Sequence, residues 1–511
     1  MFVVVGLGVV RVCRRRWSSS SGRAATLYVD GEVRGASDGL EIDVVSPADE
    51  SVMSRLSDAS AFDAGVAICA ARRAFETKDR EWARIPSQRS EALLAASAWT
   101  RANVEELADL ESRDCGKPII ESRVDVAYCG DVLEYYAGLA TSEDTMLEGT
   151  EIEGTACAAR VRYGPRGACA LVTPWNFPLM QAVLKVAPCV AAGNTFVLKP
   201  SPLASLTCVR FVAEALGPAC PPGVANLLTG GPPLSAVDRA SAALVSSPEI
   251  DFASFTGSTR GGRAVLAASA PHARPSALEL GGKGACVVFD DVDLDVAADW
   301  VMFGIFQCAG QVCSATSRLL AHRDIYRPLL DRICEKTVEK VVPGHPLDAR
   351  TTLGPVVSRD RASAILAAVD RAPHPPLLRH GDNKFSYVAA HVFDDVPVDS
   401  ELWRDEIFGP VLATRAFDTE DDAVALANDS LYGLAHTVLT ADQSRADRVA
   451  TKLDAGVVWC NANQLLWPQT PFGGTKRSGF GWEGGLAGLR EYQQPKTVIQ
   501  APPGFSFRAY S

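Results

Sequence analysis

The sequence has few of the features that mark a metal protein, a nucleic-acid-binding protein or a membrane protein. None of its 14 cysteines forms a CxxC pair, and no cysteine–histidine cluster has zinc spacing, so we expect no metal site. A formal net charge of −11 argues against a nucleic-acid surface, which needs clustered lysine and arginine. The apolar stretch from Phe2 to Val10 is much shorter than the ~20 residues that span a bilayer. We therefore expect neither a nucleic-acid partner nor a membrane partner.

The cysteines also lack the dense, regular pairing of a disulfide framework. They are scattered along a long chain, which indicates that most are small buried residues in a reducing compartment. The length of 511 residues allows two or three domains, and 47% hydrophobic with 22% charged residues is typical of a globular protein.

The N-terminal segment has a distinct composition. No acidic residue precedes Asp30, and a serine run covers Ser18 to Ser21. The same segment carries positive charge on Arg11, Arg14, Arg15, Arg16 and Arg23. This composition predicts an organelle transit peptide over residues 1–26, with the mitochondrion as first expectation and the chloroplast as second. The alternative is a disordered tail without an address.

Hydrophobic periodicity predicts an α/β fold. Helical patterns cover Ala61 to Glu76 and Ser87 to Asp114, and the alternating segment Thr150 to Tyr163 predicts an exposed β-ribbon. From Ala168 onward, short apolar runs alternate with helical segments, which is typical of a parallel, doubly wound sheet.

A glycine-rich turn, Phe255 to Gly262, follows an apolar strand and precedes a predicted helix from Arg263 to Ala270. Glycine lets a backbone turn tightly near a phosphate, and a helix N-terminus favours negative charge. The turn does not have the GxGxxG spacing, and alone it is better explained as a structural turn.

Two polar side chains lie at predicted turns between apolar runs. Asn176, in Thr173 to Pro178, could donate a hydrogen bond to a developing oxyanion, or could satisfy its own backbone in a proline-bracketed turn. Glu279 lies between two leucines at the predicted close of a helix-to-strand loop, where partial burial would raise its pKa toward that of a general base. The alternative for Glu279 is a simple ion pair with Lys283.

Cys313 is the candidate nucleophile. Its neighbours are small, which leaves room for a substrate, and the pattern predicts a helix just after it, whose N-terminus would lower the thiol pKa. Most single cysteines are inert packing residues. Further along, Glu406 and Phe408 offer a carboxylate for a ribose hydroxyl and an aromatic ring that could pack on a flat ring.

These five segments, in this order and spacing, resemble the aldehyde dehydrogenase superfamily over Leu27 to Gln500, with particular similarity to plant betaine-aldehyde and aminoaldehyde dehydrogenases. The resemblance implies a Rossmann-like dinucleotide-binding domain, an α/β catalytic domain and a small β oligomerisation flap. The expected ranges are 27–147 with 167–280, then 281–481, and 148–166 with 482–511, respectively. It also implies a homodimer or homotetramer.

The resemblance implies the following chemistry. Cys313 attacks an aldehyde, Asn176 and the Cys313 N–H hold the oxyanion, hydride passes to a nicotinamide, and Glu279 activates the water that releases the acid. NAD is the expected cofactor. The residues expected to bind it are Trp175 and Lys199 at the adenosine end, Gly257, Ser258 and Gly262 at the pyrophosphate, and Glu406 and Phe408 at the nicotinamide riboside.

Three departures from the family pattern matter. Pro202 stands where NAD-preferring members often have a glutamate, so NADP becomes possible. Only two of the four expected cage positions are aromatic, which makes a less polar aliphatic or aromatic aldehyde an alternative to a cationic one. The pocket residues expected are Phe177, Leu184, Gln307, Val457, Trp467 and Phe472, with Trp459 nearby. Leu486 stands where relatives carry an acid, which implies an altered proton path from Lys185.

Two other functions stay open. A CoA-acylating relative would not need a water-activating carboxylate at Glu279, so that residue argues against it. A non-catalytic structural oligomer could keep the fold. Retention of Cys313, Glu279, Asn176 and Lys199 together argues against that function.

Overall fold

The computed structural model describes residues 24–77, 80–142, 147–151, 157–231 and 238–505. The predicted N-terminal segment lies outside this description up to residue 23. Its last residues belong to the fold, because Thr26 is buried and its hydroxyl lies 2.7 Å from Thr229 Oγ1. The predicted boundary at residue 26 is therefore too late. Among the described helices, none is long and apolar enough to cross a membrane.

Helices and strands alternate along most of the chain. The strands are β1 Leu27–Val29, β2 Glu32–Arg34, β3 Glu41–Val45, β4 Val52–Ser57, β5 Leu147–Glu151, β6 Ala158–Pro165, β7 Ala168–Thr173, β8 Thr195–Pro200, β9 Ala225–Leu227, β10 Phe252–Thr256, β11 Ser276–Glu279, β12 Ala285–Val288, β13 Arg318–His322, β14 Leu378–His380, β15 Ala390–Phe393, β16 Val411–Phe417, β17 Tyr432–Gly433, β18 Ala435–Leu439, β19 Val457–Cys460, β20 Thr475–Lys476, β21 Gly479–Phe480 and β22 Gln493–Gln500. The α-helices are α1 Ala61–Glu76, α2 Glu81–Arg84, α3 Pro86–Ala102, α4 Val104–Cys115, α5 Ile119–Thr141, α6 Pro178–Ala191, α7 Leu206–Arg210, α8 Gly217–Ala219, α9 Arg239–Ser246, α10 Thr259–Ser269, α11 Leu294–Phe306, α12 Arg323–Lys340, α13 Arg359–Asp370, α14 Glu401–Arg404, α15 Glu420–Asn428, α16 Gln443–Lys452 and α17 Gly485–Glu491. A π-helical turn, Phe211–Leu216, joins α7 to α8.

Two mainly parallel sheets form the body of the protein, as the α/β pattern predicted. The first has the order β2-β1-β9-β8-β7-β10-β11-β21, with β9, β8, β7, β10 and β11 parallel. The second has the order β14-β15-β16-β13-β12-β18-β19, with β14 as its antiparallel edge. The chain leaves the first sheet at Glu279 and enters the second at Ala285. The carboxyl edge of one sheet is therefore joined by a very short loop to the amino edge of the other.

A third sheet has the order β22-β6-β5 and is entirely antiparallel. The predicted ribbon supplies β5 and β6, and residues 152–156 of that ribbon lie outside the description. All of β22 after Gln493 is exposed.

The predicted helix from Ser87 to Asp114 is in fact two helices. Asn103 separates α3 from α4 with φ −118° and ψ 19°, outside the helical region, and its side-chain amide donates to Trp99 O at 2.7 Å. Asparagine side chains compete with the helical backbone for hydrogen bonds. The apolar periodicity continues across the break, which is why it predicted a single helix.

Candidate active site

The carboxyl ends of the parallel strands in the first sheet carry the predicted site residues. Asn176 follows β7, Lys199 lies at the end of β8, Gly257 follows β10, and Glu279 is the last residue of β11. Carboxyl ends of parallel strands lie at one edge of a sheet, where open α/β proteins bind ligands. The structure therefore brings these four positions to a common edge.

The glycine-rich turn leads directly into α10, which begins at Thr259 and not at Arg263 as predicted. Ser258 is its N-cap and accepts a hydrogen bond from Gly261 N at 3.2 Å. A Cβ at Gly257 would lie 2.7 Å from the Phe255 ring, and one at Gly262 would lie 2.6 Å from Leu280. Both glycines are therefore needed for close packing, and the helix N-terminus is presented at the strand edge.

Glu279 is buried and belongs to β11, which corrects its predicted place in a loop. Burial, followed by the charge of Glu483, raises the pKa of Glu279 to about 8, so the predicted upward shift is confirmed. Neither carboxylate oxygen has a hydrogen-bond partner of good geometry among the described residues. The predicted alternative of an ion pair with Lys283 is wrong, because among the described residues the groups around the Glu279 carboxylate are Glu483, Cys313, Lys185 and Glu406.

Cys313 is partly exposed and faces Glu279. Burial, and then the carboxylate of Glu279, raise the pKa of the Cys313 thiol well above its usual value. The chain after Cys313 turns and then extends into β13, so the predicted helix following it is wrong and no helix N-terminus lowers its pKa. The sequence was misleading because α11, an apolar helix, lies before the cysteine instead.

Gln311 fixes the turn that precedes Cys313. Its side-chain Nε2 donates to Cys308 O at 2.9 Å, and its Oε1 accepts from Val357 N at 2.9 Å. Its carbonyl accepts from Asn176 Nδ2 at 2.8 Å, so the amide predicted to hold the oxyanion is oriented by the segment that carries the nucleophile. Sequence reasoning missed this role of Gln311.

Lys185 forms a buried ion pair with Glu483, with Nζ 2.5 Å from Oε1. Nζ also donates to Ser254 Oγ at 3.0 Å. The two residues line a small cavity together with Glu279 and Phe472. The predicted loss of the acid opposite Lys185 is therefore wrong, because Glu483 supplies it, whereas Leu486 is exposed.

Glu406, Phe408 and Trp175 meet at the junction of the two sheets. Glu406 Oε1 accepts from Gly282 N at 3.0 Å, and burial raises the pKa of Glu406 to about 7. A side chain at Gly281 would collide with the Glu406 carboxylate. The rings of Trp175 and Phe408 lie edge to face, with centroids 5.4 Å apart. The structure thus groups three residues that the resemblance assigned to the cofactor.

The predicted pocket residues divide into two groups. Phe177, the N-cap of α6, and Leu184, in the middle of that helix, are both buried. Cys313, Val457 and Phe472 pack against a buried cluster of Leu434, Ala435 and Trp459. Gln307 is partly buried in the turn before Cys313. Trp467 is 54% exposed and is not in that cluster.

Elsewhere in the described part of the chain, Asp290, His322 and Asp324 place one ligand atom each within 4.8 Å of one another. Asp290 also bonds Arg445 at 3.3 Å, and His322 Nδ1 accepts from Asp324 N at 3.4 Å. The thirteen cysteines in this part are all free.

The aldehyde dehydrogenase family profile matches residues 34–498, and the chain belongs to this family. It is 40% identical over 484 residues to apple (Malus domestica) peroxisomal aminoaldehyde dehydrogenase 1, covering 93% of this chain and 95% of the relative. It is 38% identical over 488 residues to the chloroplastic betaine aldehyde dehydrogenase of Amaranthus hypochondriacus, covering 93% and 95%. The structure of a Staphylococcus aureus betaine aldehyde dehydrogenase with NAD+ is similar at TM-score 0.90 and 33% identity, covering 96% of this chain and 98% of that one.

These similarities confirm three predictions. The superfamily, the α/β fold and the class of NAD(P)-dependent oxidoreductase acting on aldehydes are as expected. The organelles in the relatives' names are the peroxisome and the chloroplast, so they give the predicted mitochondrion no support over the chloroplast.

Proposed function

We propose that the protein oxidises an aldehyde to its carboxylic acid through a thioester on Cys313. The observation that carries the proposal is the buried carboxylate of Glu279, which faces that thiol and has no other hydrogen-bond partner among the described residues. Glu279, with a pKa of about 8, takes the thiol proton, and the thiolate adds to the aldehyde carbon. The resulting oxyanion accepts a hydrogen bond from Asn176 Nδ2.

The residues at the sheet junction fit a nicotinamide dinucleotide. The capped N-terminus of α10, the close-packed Gly257 and Gly262, and the Glu406 carboxylate suit a pyrophosphate and a ribose. When bound, the cofactor accepts the hydride that turns the aldehyde adduct into a thioester. Because the rings of Trp175 and Phe408 are in contact, both would meet the nicotinamide end of the cofactor, which moves Trp175 from the adenosine end where it was expected.

Water then releases the acid. Glu279 first gives up the thiol proton through the cavity that it shares with Glu483 and Lys185, and then takes a proton from the attacking water, while the thioester carbon–sulfur bond breaks to restore Cys313 as a thiolate. Glu483 and Lys185 line the same cavity as Glu279 and provide a place to move that proton away. Overall, aldehyde, water and NAD(P)+ become carboxylic acid, NAD(P)H and a proton.

For the substrate we propose an uncharged aldehyde with an apolar chain. The wall around Cys313 is apolar, with Val457, Phe472 and the Trp459 cluster. Two of the four expected cage positions, Leu184 and Gln307, offer no aromatic face for a cation. Cationic aldehydes are the second candidate, supported by Phe177 and Phe472 and by the substrates named for the plant relatives.

Initial rates with betaine aldehyde, 4-aminobutanal, hexanal and benzaldehyde test this choice. The proposal expects a kcat/KM for hexanal or benzaldehyde about tenfold above that for either cation, a difference of ~1.4 kcal/mol. A preference of that size for the cations would reverse the assignment. Cys313→Ala should abolish all four activities, whereas the matched variant Cys334→Ala, on α12, should keep them.

We also propose that the first sheet forms the cofactor domain, the second the catalytic domain, and the sheet β22-β6-β5 the oligomerisation flap. An organellar location, in a chloroplast or a mitochondrion, remains our proposal for the N-terminal segment.

A further inference from the structure

Lys199, at the carboxyl end of β8, has all of its hydrogen-bond donors occupied by the protein. Its Nζ lies 2.7 Å from Asp238 Oδ2 and donates to Gly230 O at 2.6 Å and Pro200 O at 3.2 Å. An ammonium group has three donor hydrogens. The Lys199 side chain is 1% exposed, so water does not compete with these protein acceptors for its hydrogen bonds.

Asp238 is equally constrained. As the N-cap of α9, its Oδ1 accepts from Ala240 N and Ser241 N, both at 3.0 Å. Its Oδ2 accepts from Ser241 Oγ at 2.7 Å as well as pairing with Lys199. Although burial opposes ionisation, Lys199 and these hydrogen bonds keep the pKa of Asp238 below its usual value. The carboxylate is therefore charged at neutral pH.

The charges nearby do not leave a surplus cation. Arg239, next to Asp238, pairs with Asp38 at 3.2 Å and with Asp58 at 3.3 Å. Asp58 also accepts a hydrogen bond from Gly231 N at 2.7 Å, and Gly231 follows the Gly230 carbonyl that Lys199 contacts. A second carboxylate therefore lies near the end of β8. The edge where an adenosine ribose would lie thus contains a lysine whose charge is balanced by Asp238, with further carboxylates beside it.

We propose that Asp238 makes the enzyme select NAD over NADP. The inference rests on the proposed function, and it assigns to Asp238 the discrimination that Pro202 cannot provide. The phosphate that distinguishes NADP is an anion, and it would meet a carboxylate and a lysine whose charge is already compensated. A ribose hydroxyl carries no charge and needs only a hydrogen bond, so it suffers no such repulsion.

Asp238→Asn isolates the charge. Asparagine caps a helix about as well as aspartate, and it has the same shape, so α9 should be retained while the ion pair is lost. In wild type we expect calorimetric titration to show NADH bound about tenfold or more tighter than NADPH. In Asp238→Asn the ratio of the two dissociation constants should fall by about tenfold, mainly because NADPH binds more tightly.

Asp442→Asn is the matched control. Asp442 caps α16 as Asp238 caps α9, by accepting hydrogen bonds from two backbone N–H groups, those of Ser444 and Arg445. Unlike Asp238, it has no lysine partner among the described residues. Its NADH-to-NADPH ratio should equal that of wild type. Asp238→Ser, another good N-cap, serves if the asparagine variant does not fold.

Equal binding of the two cofactors by wild type, or an unchanged ratio in Asp238→Asn, would overturn the inference. Because binding is measured without an aldehyde, this outcome is separate from the proposed function. An enzyme that prefers NADH in titrations but oxidises none of the four test aldehydes would contradict the proposed function alone.

Discussion

The thiol of Cys313 and the carboxylate of Glu279 share one environment: the carboxylate raises the pKa of the thiol, whereas the hydrogen bond from the thiol lowers the pKa of Glu279 against the larger upward effect of burial. Two negative charges so close in a buried site are costly, so ionisation of the thiol is coupled to protonation of Glu279. This coupling keeps the pair at no more than one negative charge, so the thiolate appears as its proton is taken up by the ionised carboxylate.

A pH profile tests the role of Glu279. Activation of water requires the ionised carboxylate, whose fraction increases as pH rises through about 8. We therefore expect kcat to increase between pH 6.5 and 9 when acid release limits turnover. Glu279→Gln should lose this rise and slow turnover by about 100-fold or more. A profile that is flat in wild type over that range would contradict the assignment.

At the residue scale, the sequence predicted which side chains form the candidate site better than it predicted which side chains pair with them. Cys313, Glu279 and Asn176 could be predicted because their local segments carry the signal. The pairing of Lys185 with Glu483 was not predicted. Glu483 and Leu486 are close in sequence, and the sequence alone does not show which of the two positions faces Lys185. Asp238 was missed because its partner Lys199 is distant in sequence, and only the fold brings them together.

The turn Gln307–Gly310 is the element that positions the nucleophile. Cys308 and Ala309 both have left-handed backbones, with φ 48° and 53°, which cost about 1 kcal/mol each for residues other than glycine. Two hydrogen bonds hold the turn: the Gln311 side chain donates to Cys308 O, and Cys308 N donates to Glu121 Oε2 at 2.8 Å.

Replacing Gln311 should release this turn. Gln311→Ala leaves Val357 N and Cys308 O without their buried partner, which we expect to lower the free energy of unfolding by about 1–3 kcal/mol. It should also lower kcat by about 100-fold through loss of alignment between Asn176 and Cys313. Denaturant unfolding and steady-state kinetics measure the two effects.

Gln443→Ala provides the comparison, because Gln443 is exposed and its side chain bonds only Asp447 on its own helix among the contacts described. Its unfolding free energy should stay within about 0.5 kcal/mol of wild type. Equal effects of the two substitutions would argue that Gln311 has no special positioning role.

Element types were more predictable than element ends. Alternation of apolar runs and helical segments gave the parallel sheets correctly. The ends depend on hydrogen bonds of single polar residues, such as Asn103 at the break between α3 and α4 and Ser258 at the cap of α10. Hydrophobic periodicity carries no information about these hydrogen bonds. A helix was also expected just after Cys313, but there the chain turns and extends into β13, and the apolar helix α11 ends before the cysteine.

At the scale of the whole molecule, two sheets meet at a short loop and a third sheet leaves an apolar edge uncovered. Ile499 on β22 is 66% exposed and Val498 is 40% exposed. We propose that these two neighbouring apolar residues face another subunit. The sheets could be foreseen from the chain, whereas the oligomer that we propose for the third sheet was expected only through the resemblance.

Ile499→Lys tests this proposal. A lysine placed in an apolar interface loses its hydration, so we expect light scattering after gel filtration to show a smaller species than wild type at the same concentration. Val338→Lys, on α12 and 54% exposed, should leave the assembly unchanged. A wild-type monomer, or an unaltered oligomer in Ile499→Lys, would remove the role proposed for the flap.

The central claim is tested most directly by trapping the acyl enzyme. Glu279→Gln removes the charge that raises the pKa of the Cys313 thiol, so the thiolate can still form by losing its proton to water. Mixing this variant with an accepted aldehyde and NAD+ should release about one NADH per active site, more slowly than in wild type, and then stall, because the thioester forms but no base activates water for its hydrolysis. Mass spectrometry of the quenched protein should find the acyl group on the peptide containing Cys313. NADH formation without any added mass on that peptide, or undiminished turnover in Cys313→Ala, would contradict the account.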